Sequence, residues 1–238
     1  MTQNKTLSIV IPMFNEQKTI GEILKLIDSV FSPSKLPFEV IVVDDGSKDN
    51  SVEVAQQTIN SLGSNNYKLF VSEKNQGKGA AIRQGIKLIN GKYCVIQDAD
   101  LEYHPSDLIT MLEYMEQHHL EVLYGSRILK KDNVSISKIF YLGGRLVTLA
   151  TNILFWQRLT DEPTCYKMFS TKLLKEIPLK CTGFEFCPEV TAKVAKRGYK
   201  IKEIPISYSP RTIQEGKKIS WRDGVEAIWT LLRYRFCK

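Results

Sequence analysis

The segment Phe38-Glu-Val-Ile-Val-Val-Asp-Asp-Gly-Ser47 decides the fold. Phe38–Val43 is a nearly continuous apolar run, the pattern of a strand buried on both faces of a parallel sheet. It ends in two acids and a turn, after which Asp49 can cap a helix carrying Val52, Val54, Ala55 and Ile59. The same strand-then-helix unit recurs on either side. Leu7–Met13 leads to a helix over Thr19–Phe31, with Ile20, Ile23, Leu24, Ile27 and Phe31 at helical spacing. Lys68–Val71 leads to a helix over Ala80–Ile89. Tyr93–Gln97 leads to a helix opened by Pro105 and reaching His118, before a fifth strand at Val122–Tyr124. Repeated βα alternation predicts an α/β fold: a mainly parallel, doubly wound sheet with helices on both faces.

Composition bounds the function. Of 238 residues, 43% are hydrophobic and 25% charged, which excludes a disordered or fibrous chain. No run of about 18 uncharged apolar residues predicts a spanning helix. The opening MTQNKTLSIV lacks the basic start and cleavage site of a secretion signal. Cys94, Cys165, Cys181, Cys187 and Cys237 have no CxxC spacing, which predicts reduced cytosolic thiols rather than disulfides or a zinc site. With no internal repeat and no flexible linker, residues 1–238 are expected to form one domain. Charge nevertheless divides it: residues 1–126 carry 11 basic and 16 acidic side chains, net −5, and residues 127–238 carry 22 and 10, net +12. So basic a half suits an anionic partner (phosphates, anionic lipid or nucleic acid) or a merely solvated lysine-rich face.

In doubly wound sheets ligands bind outside the carboxyl ends of the strands. Four polar clusters fall there: Pro12-Met13-Phe14-Asn15-Glu16, Asp44-Asp45-Gly46-Ser47, Asn75-Gln76-Gly77-Lys78-Gly79 and Asp98-Ala99-Asp100. Asp98 and Asp100, two apart at a strand end, can point to one side. Two such carboxylates, with phosphate oxygens of a substrate, suit Mg²⁺; Asp100 could also simply help to start the helix near Pro105. Adjacent Asp44 and Asp45 repel, and a sugar hydroxyl or base N–H would relieve them. The segment Asn75–Gly79 lacks the GxxxxGK[ST] spacing, and Ile82 occupies the third glycine position of GxGxxG, so triphosphatase and NAD readings are poor.

Together the motifs Ile9–Glu16, Val42–Ser47, Asn75–Ala80 and Asp98–Asp100 resemble the family-2 glycosyltransferases of GT-A fold, a Rossmann-type sandwich. Within that family the likeness is to the polyprenyl-phosphate hexose synthases, dolichyl-phosphate mannose synthase among them. It continues through Gly125-Ser-Arg127, Thr160-Asp161, Tyr166-Lys167, Phe184, Glu189, Arg211 and Glu215-Gly-Lys217, nearly the whole chain. The resemblance implies inverting transfer of a hexose from a nucleotide diphosphate sugar, GDP-mannose or UDP-glucose, with Mg²⁺ or Mn²⁺. It implies that Pro12, Phe14, Glu16, Val43 and Asp45 line the nucleotide pocket. Asp98 and Asp100 would hold the metal, with Ala99 beside the nucleotide, and Arg127, Arg211 and Lys217 would contact phosphates. Residues 1–126 then form the nucleotide-sugar half and 127–238 the acceptor half. The chain departs from the family at Phe14, where tyrosine is frequent, and at Cys165, where many members carry glycine.

A phosphate monoester is already mostly a dianion at pH 7, so a polyprenyl phosphate can attack without a strong base. The presence of only three histidines, His104, His118 and His119, accords with that. In Ile139–Trp156 an apolar stripe accompanies a polar one of Arg145, Thr148 and Asn152, reading either as core packing or as a lipid-contacting helix with Arg145 near the acceptor phosphate. The last helix mixes Trp221, Val225, Ile228, Trp229, Leu232 and Phe236 with Arg222, Arg233, Arg235 and Lys238, suiting a membrane interface or a domain-packing helix. These features predict a peripheral enzyme on the cytoplasmic membrane face. The competing enzyme reading is a saccharide acceptor, with Asp161 or Glu189 as base. A basic nucleic-acid-binding module would explain the charge but not the four strand ends.

Overall fold

The computed structural model describes residues 5–133, 138–211 and 220–237. Its seven-stranded sheet runs in the order β3-β2-β1-β4-β6-β5-β7. The strands are β1 (Leu7–Met13), β2 (Phe38–Asp44), β3 (Tyr67–Val71), β4 (Tyr93–Ile96), β5 (Val122–Ser126), β6 (Lys167–Ser170) and β7 (Lys202–Pro205). Helices α1 (Ile20–Ser34), α2 (Ser51–Leu62), α3 (Lys78–Leu88), α4 (Ser106–Gln117), α5 (Lys138–Phe155), α6 (Thr171–Glu176), α7 (Phe186–Lys196) and α8 (Trp221–Phe236) flank it. The mixed α/β, mainly parallel architecture is the expected one. Every residue of β2 is buried, which is why its sequence shows no polar alternation.

The chain lays down β1, β2 and β3 outward in one direction, then returns to add β4 on the other side of β1, all three pairings parallel. That reversal opens a crevice beyond the carboxyl ends of β1 and β4. Residues following Met13 and Ile96 therefore face each other, which brings the Phe14–Glu16 turn to Asp98 and Asp100.

Two local expectations shift. Asn50, not Asp49, is the N-cap residue of α2; Asp49 instead accepts the Ser51 amide (3.0 Å) and the Gln17 amide (3.3 Å). Pro105 precedes the first residue of α4 as its N-cap rather than opening the helix. The apolar run Ile201–Tyr208 contributes only Lys202–Pro205 as a strand. Beyond β7 the main-chain amides are captured one after another at the sheet edge: Ile206 N–H donates to Ser126 O (3.1 Å), Ser207 N–H to Asp107 (2.7 Å), Tyr208 N–H to Asn133 (2.9 Å) and Ser209 N–H to Glu102 O (2.9 Å). This staircase carries the chain across to Arg211.

Helix α3 lies directly on the sheet because Gly85 has no side chain: a methyl there would come within 2.4 Å of Val10 Cγ1. Val10 is fully buried and β-branched, so it cannot turn away. Gly85→Ala is expected to lower stability by about 1–3 kcal/mol. Gly224→Ala in α8, where a methyl meets nothing within 4 Å, should instead raise it by up to about 1 kcal/mol. Urea unfolding midpoints check both signs.

Candidate active site

Main-chain hydrogen bonds stitch the strand-end loops together. Asp44 Oδ2 accepts the amides of Gly46 and Ser47, both at 3.0 Å, and Gly46 takes the left-handed conformation (φ 73°) that this turn requires. Asp45 accepts the amides of Gln76 (2.8 Å) and Gly77 (2.7 Å), tying the end of β2 to the turn before α3. The donors that relieve these adjacent acids are thus the chain's own amides. From the β1 turn, Asn15 N–H donates to Ser47 Oγ (2.9 Å) and Glu16 N–H to Ser51 Oγ (2.7 Å). Pro12 and Phe14 sit half-buried at this edge, while Val43, expected to line the nucleotide pocket, is wholly buried with its side chain against Gly85 of α3.

The centre of the site is a knot of charge. Arg211 reaches three carboxylates: Asp100 (3.0 Å), Glu16 (3.3 Å) and Glu102 (3.8 Å). Glu102 also accepts the Arg211 main-chain amide (2.9 Å) and the Tyr208 hydroxyl (2.7 Å), so it fixes the strap that delivers Arg211. Lys78, from the first turn of α3, pairs with Asp98 at 2.5 Å and lies over the Phe184 ring. Leu101 holds a left-handed backbone (φ 65°), a conformation costing about 1–2 kcal/mol for such a residue. The turn it makes lets the Glu102 amide donate to Asp100 (3.1 Å). Ala99 between the two aspartates is buried.

Even with two cations present, negative charge is in excess. Burial, then the neighbouring Asp98 and Glu102 carboxylates, raise the Asp100 carboxyl to about 7, against the opposing pull of Arg211. Oxygen-only donors short of positive charge fit a hard divalent cation. Among the described residues no group of three or more His, Cys, Asp or Glu side chains is arranged as a complete metal shell. Asp98 and Asp100 would accordingly supply two oxygens to such an ion, and diphosphate oxygens and water the rest.

A second cationic group lies toward the basic half. Arg127 Nε and Nη2 donate to the two oxygens of Asp161, both at 2.7 Å, and its guanidinium lies over Tyr208. Arg145 Nη1, from α5, donates to Thr160 O (3.1 Å), so the two guanidinium groups flank the Thr160–Asp161 dipeptide. Lys217 lies outside the described residues. Cys165 is buried, its amide donating to the Tyr103 hydroxyl (3.2 Å), and burial followed by Asp98 holds its thiol protonated. Lys78 and Glu102 are the central residues to which the sequence assigned no role. Glu102 had a readable signal, since it continues the every-second-residue acidic spacing of Asp98 and Asp100.

Residues 8–178 match the family model described as Glycosyl transferase family 2, and the chain is a member of that family. It is 27% identical over 214 residues to dodecaprenyl-phosphate galacturonate synthase of Rhizobium johnstonii, covering 88% of this chain but only 60% of that protein. It is 26% identical to dolichyl-phosphate beta-glucosyltransferase of Dictyostelium discoideum, over 98% of this chain and 75% of that one. Glucosyl-3-phosphoglycerate synthase of Mycobacterium tuberculosis, crystallised with Mn²⁺, UDP and phosphoglyceric acid, shares the fold with a TM-score of 0.72 at 20% identity, over 98% of this chain and 80% of that one. The same synthase has also been crystallised with Mg²⁺ and UDP.

The raised Asp100 carboxyl gives a pH test. The folded chain holds that proton more tightly than the unfolded chain, so its stabilising contribution is full below the ordinary aspartate value of 3.8 and is lost as pH rises through about 7. In EDTA, Asp100→Asn should be more stable than wild type at about pH 8, with the advantage fading toward about pH 4. Urea midpoints across that range check it; a difference independent of pH contradicts it.

Proposed function

We propose that the chain is an inverting hexosyltransferase that moves mannose or glucose from GDP-mannose or UDP-glucose to a polyprenyl phosphate at the cytoplasmic face of a membrane, with Mg²⁺ or Mn²⁺. The choice of acceptor rests on one observation: both carboxylates that could serve as base toward a sugar hydroxyl are already committed. Burial disfavours the Asp161 charge, but the Arg127 ion pair outweighs it and holds the carboxyl below its ordinary value. Glu189, wholly buried, accepts the amides of Lys180 (2.9 Å) and Cys181 (2.8 Å), the Lys193 ammonium and the Tyr234 hydroxyl (2.6 Å). Burial again opposes the charge, and these donors, Lys193 first, bring the carboxyl below its ordinary value. Both are thereby weaker bases than an ordinary carboxylate, and a phosphate dianion needs none. The two curated relatives, both named for a polyprenyl phosphate and a sugar, support the same acceptor.

In this reading a phosphate oxygen attacks the anomeric carbon of the donor. The bond from that carbon to the diphosphate breaks, and the nucleoside diphosphate leaves with the electron pair. Pro12, Phe14, Glu16, Asp45 and Ala99 face the nucleotide. Asp98 and Asp100 carry the divalent ion, which supplies charge stabilisation to the leaving diphosphate. Arg211 and Lys217 serve that diphosphate, Arg211 through two parallel donors and Lys217 as a point charge. Arg145 and the Arg127 Nη1 end, which Asp161 does not engage, gather the acceptor phosphate.

Incubation with labelled nucleotide sugars and polyprenyl phosphate should carry label into a lipid-phosphate fraction. EDTA should abolish transfer and Mg²⁺ or Mn²⁺ restore it, and Asp98→Asn or Asp100→Asn should lower turnover about 100-fold or more. Label entering only free saccharide, or full activity of the double Asn variant in EDTA, contradicts the proposal.

A further inference from the structure

Helices α5 and α8 are apolar on two sides. Inward, Val147 and Phe155 of α5 and Leu231 of α8 are buried together with Ala192 of α7. Outward, Leu142, Leu146, Leu149 and Ile153 of α5 and Val225, Trp229, Leu232 and Phe236 of α8 stand in solvent, with Trp229 66% and Phe236 75% exposed. Both outer stripes advance by steps of four, three and four, one face of a helix. They meet at Trp156, 68% exposed, whose ring lies under the Arg235 guanidinium at 4.4 Å. A surface helix needs one apolar face; a second one calls for a second apolar neighbour. Arg145, Arg158, Arg222, Arg233 and Arg235 accompany these stripes against only Asp223 and Glu226. Among the described residues no helix is long and apolar enough to cross a membrane. Apolar stripes bordered by cations fit the surface of an anionic bilayer, with the rings in the interface and the guanidinium groups at the headgroups.

The inner side of α8 makes one polar contact of consequence. Tyr234 donates its hydroxyl to Glu189 at 2.6 Å, and the same buried carboxylate holds the amides of Lys180 and Cys181. The loop so fixed presses on the start of α3. Thr182 O accepts the Ala80 amide (3.0 Å), and a methyl on Gly77 would lie 2.4 Å from Thr182 O. Between Gly77 and Gly79 stands Lys78, the partner of Asp98. An unbroken series of hydrogen bonds and close contacts therefore links α8 to the centre of the site.

We propose that α8 senses the bilayer: its outer face, with that of α5, docks on anionic lipid, and the Tyr234–Glu189 bond transmits that seating to the loop that holds Lys78 beside Asp98. The lipid acceptor rests on the preceding section, whereas the docking and its coupling to Lys78 do not require sugar transfer. Coupling between sites of this kind typically amounts to about fivefold or more.

The test uses the full chain with vesicles of phosphatidylcholine alone or mixed with phosphatidylglycerol, read by sedimentation and by amide hydrogen exchange at residues 75–83. Wild type should sediment with the mixed vesicles, and exchange at 75–83 should slow about fivefold or more. Tyr234→Phe should sediment equally without slowing that exchange. Trp229→Glu should fail to sediment and, without vesicles, exchange as wild type does. Slowing retained in Tyr234→Phe, wild type sedimenting with no change at 75–83, or wild type failing to sediment with mixed vesicles would each overturn the proposal. If the coupling holds while no label enters lipid phosphate, the acceptor assignment falls and the bilayer sensor stands. Transfer to lipid phosphate without any vesicle effect gives the reverse.

Discussion

The site is governed by the crowding of Glu16, Asp98, Asp100 and Glu102 around Arg211 and Lys78. Like charges in a partly desolvated crevice cannot all remain ionised without nearby positive charge. The chain supplies one cation from the first turn of α3 and another from the strap that follows β7, 195 residues after Glu16. Much of the surrounding architecture serves to bring these two side chains in. Gly77 and Gly79 let α3 approach the 181–183 loop closely, and the ladder of captured amides from Ile206 to Arg211 holds the strap at the sheet edge.

This arrangement also relates the acidic first half to the basic second half. The carboxylates rise from the β1 and β4 ends and Arg211, from beyond residue 126, reaches across to them, whereas Arg127 and Arg145 are held within the second half by Asp161 and Thr160 O. Electrostatic attraction across the crevice therefore favours closure of one half of the sequence on the other. Arg127 is held so rigidly by Asp161 and Tyr208 that it resembles a fixed fitting more than a mobile arm. Arg211 is shared among three carboxylates, at each of which a metal ion could in part take its place.

The first half of the fold was legible because its signals are local. Phe38–Val43 is apolar throughout since β2 has no exposed face, and the strand-end motifs fall where a doubly wound sheet requires its ligand edge. Strand β6 was not legible. It has four residues, begins with buried Lys167, and enters antiparallel between β4 and β5 through pairings remote in sequence. Lys167 survives there because its ammonium donates to the Glu162 and Thr164 carbonyls and lies over the Tyr124 ring, contacts that no periodicity reveals. Glu189 likewise looks like a free acid in sequence, and only the folded chain shows its carboxylate surrounded by donors. The Asp98–Asp100 pair was legible as chemistry, and Arg211 was expected at the phosphates, but the direct pairing of Arg211 with Asp100 and of Lys78 with Asp98 was not, because both cations reach the pair from distant elements.

If the crowded carboxylates are the seat of a divalent ion shared with a nucleoside diphosphate, the most direct measurement is Mn²⁺ binding followed by electron paramagnetic resonance, with and without UDP or GDP. Wild type should bind Mn²⁺ more tightly once its nucleotide is present, and Asp98→Asn with Asp100→Asn should abolish that binding while the fold, checked by circular dichroism, persists. Mn²⁺ bound equally well by the folded double variant, or not bound by wild type with either nucleotide, would contradict the account.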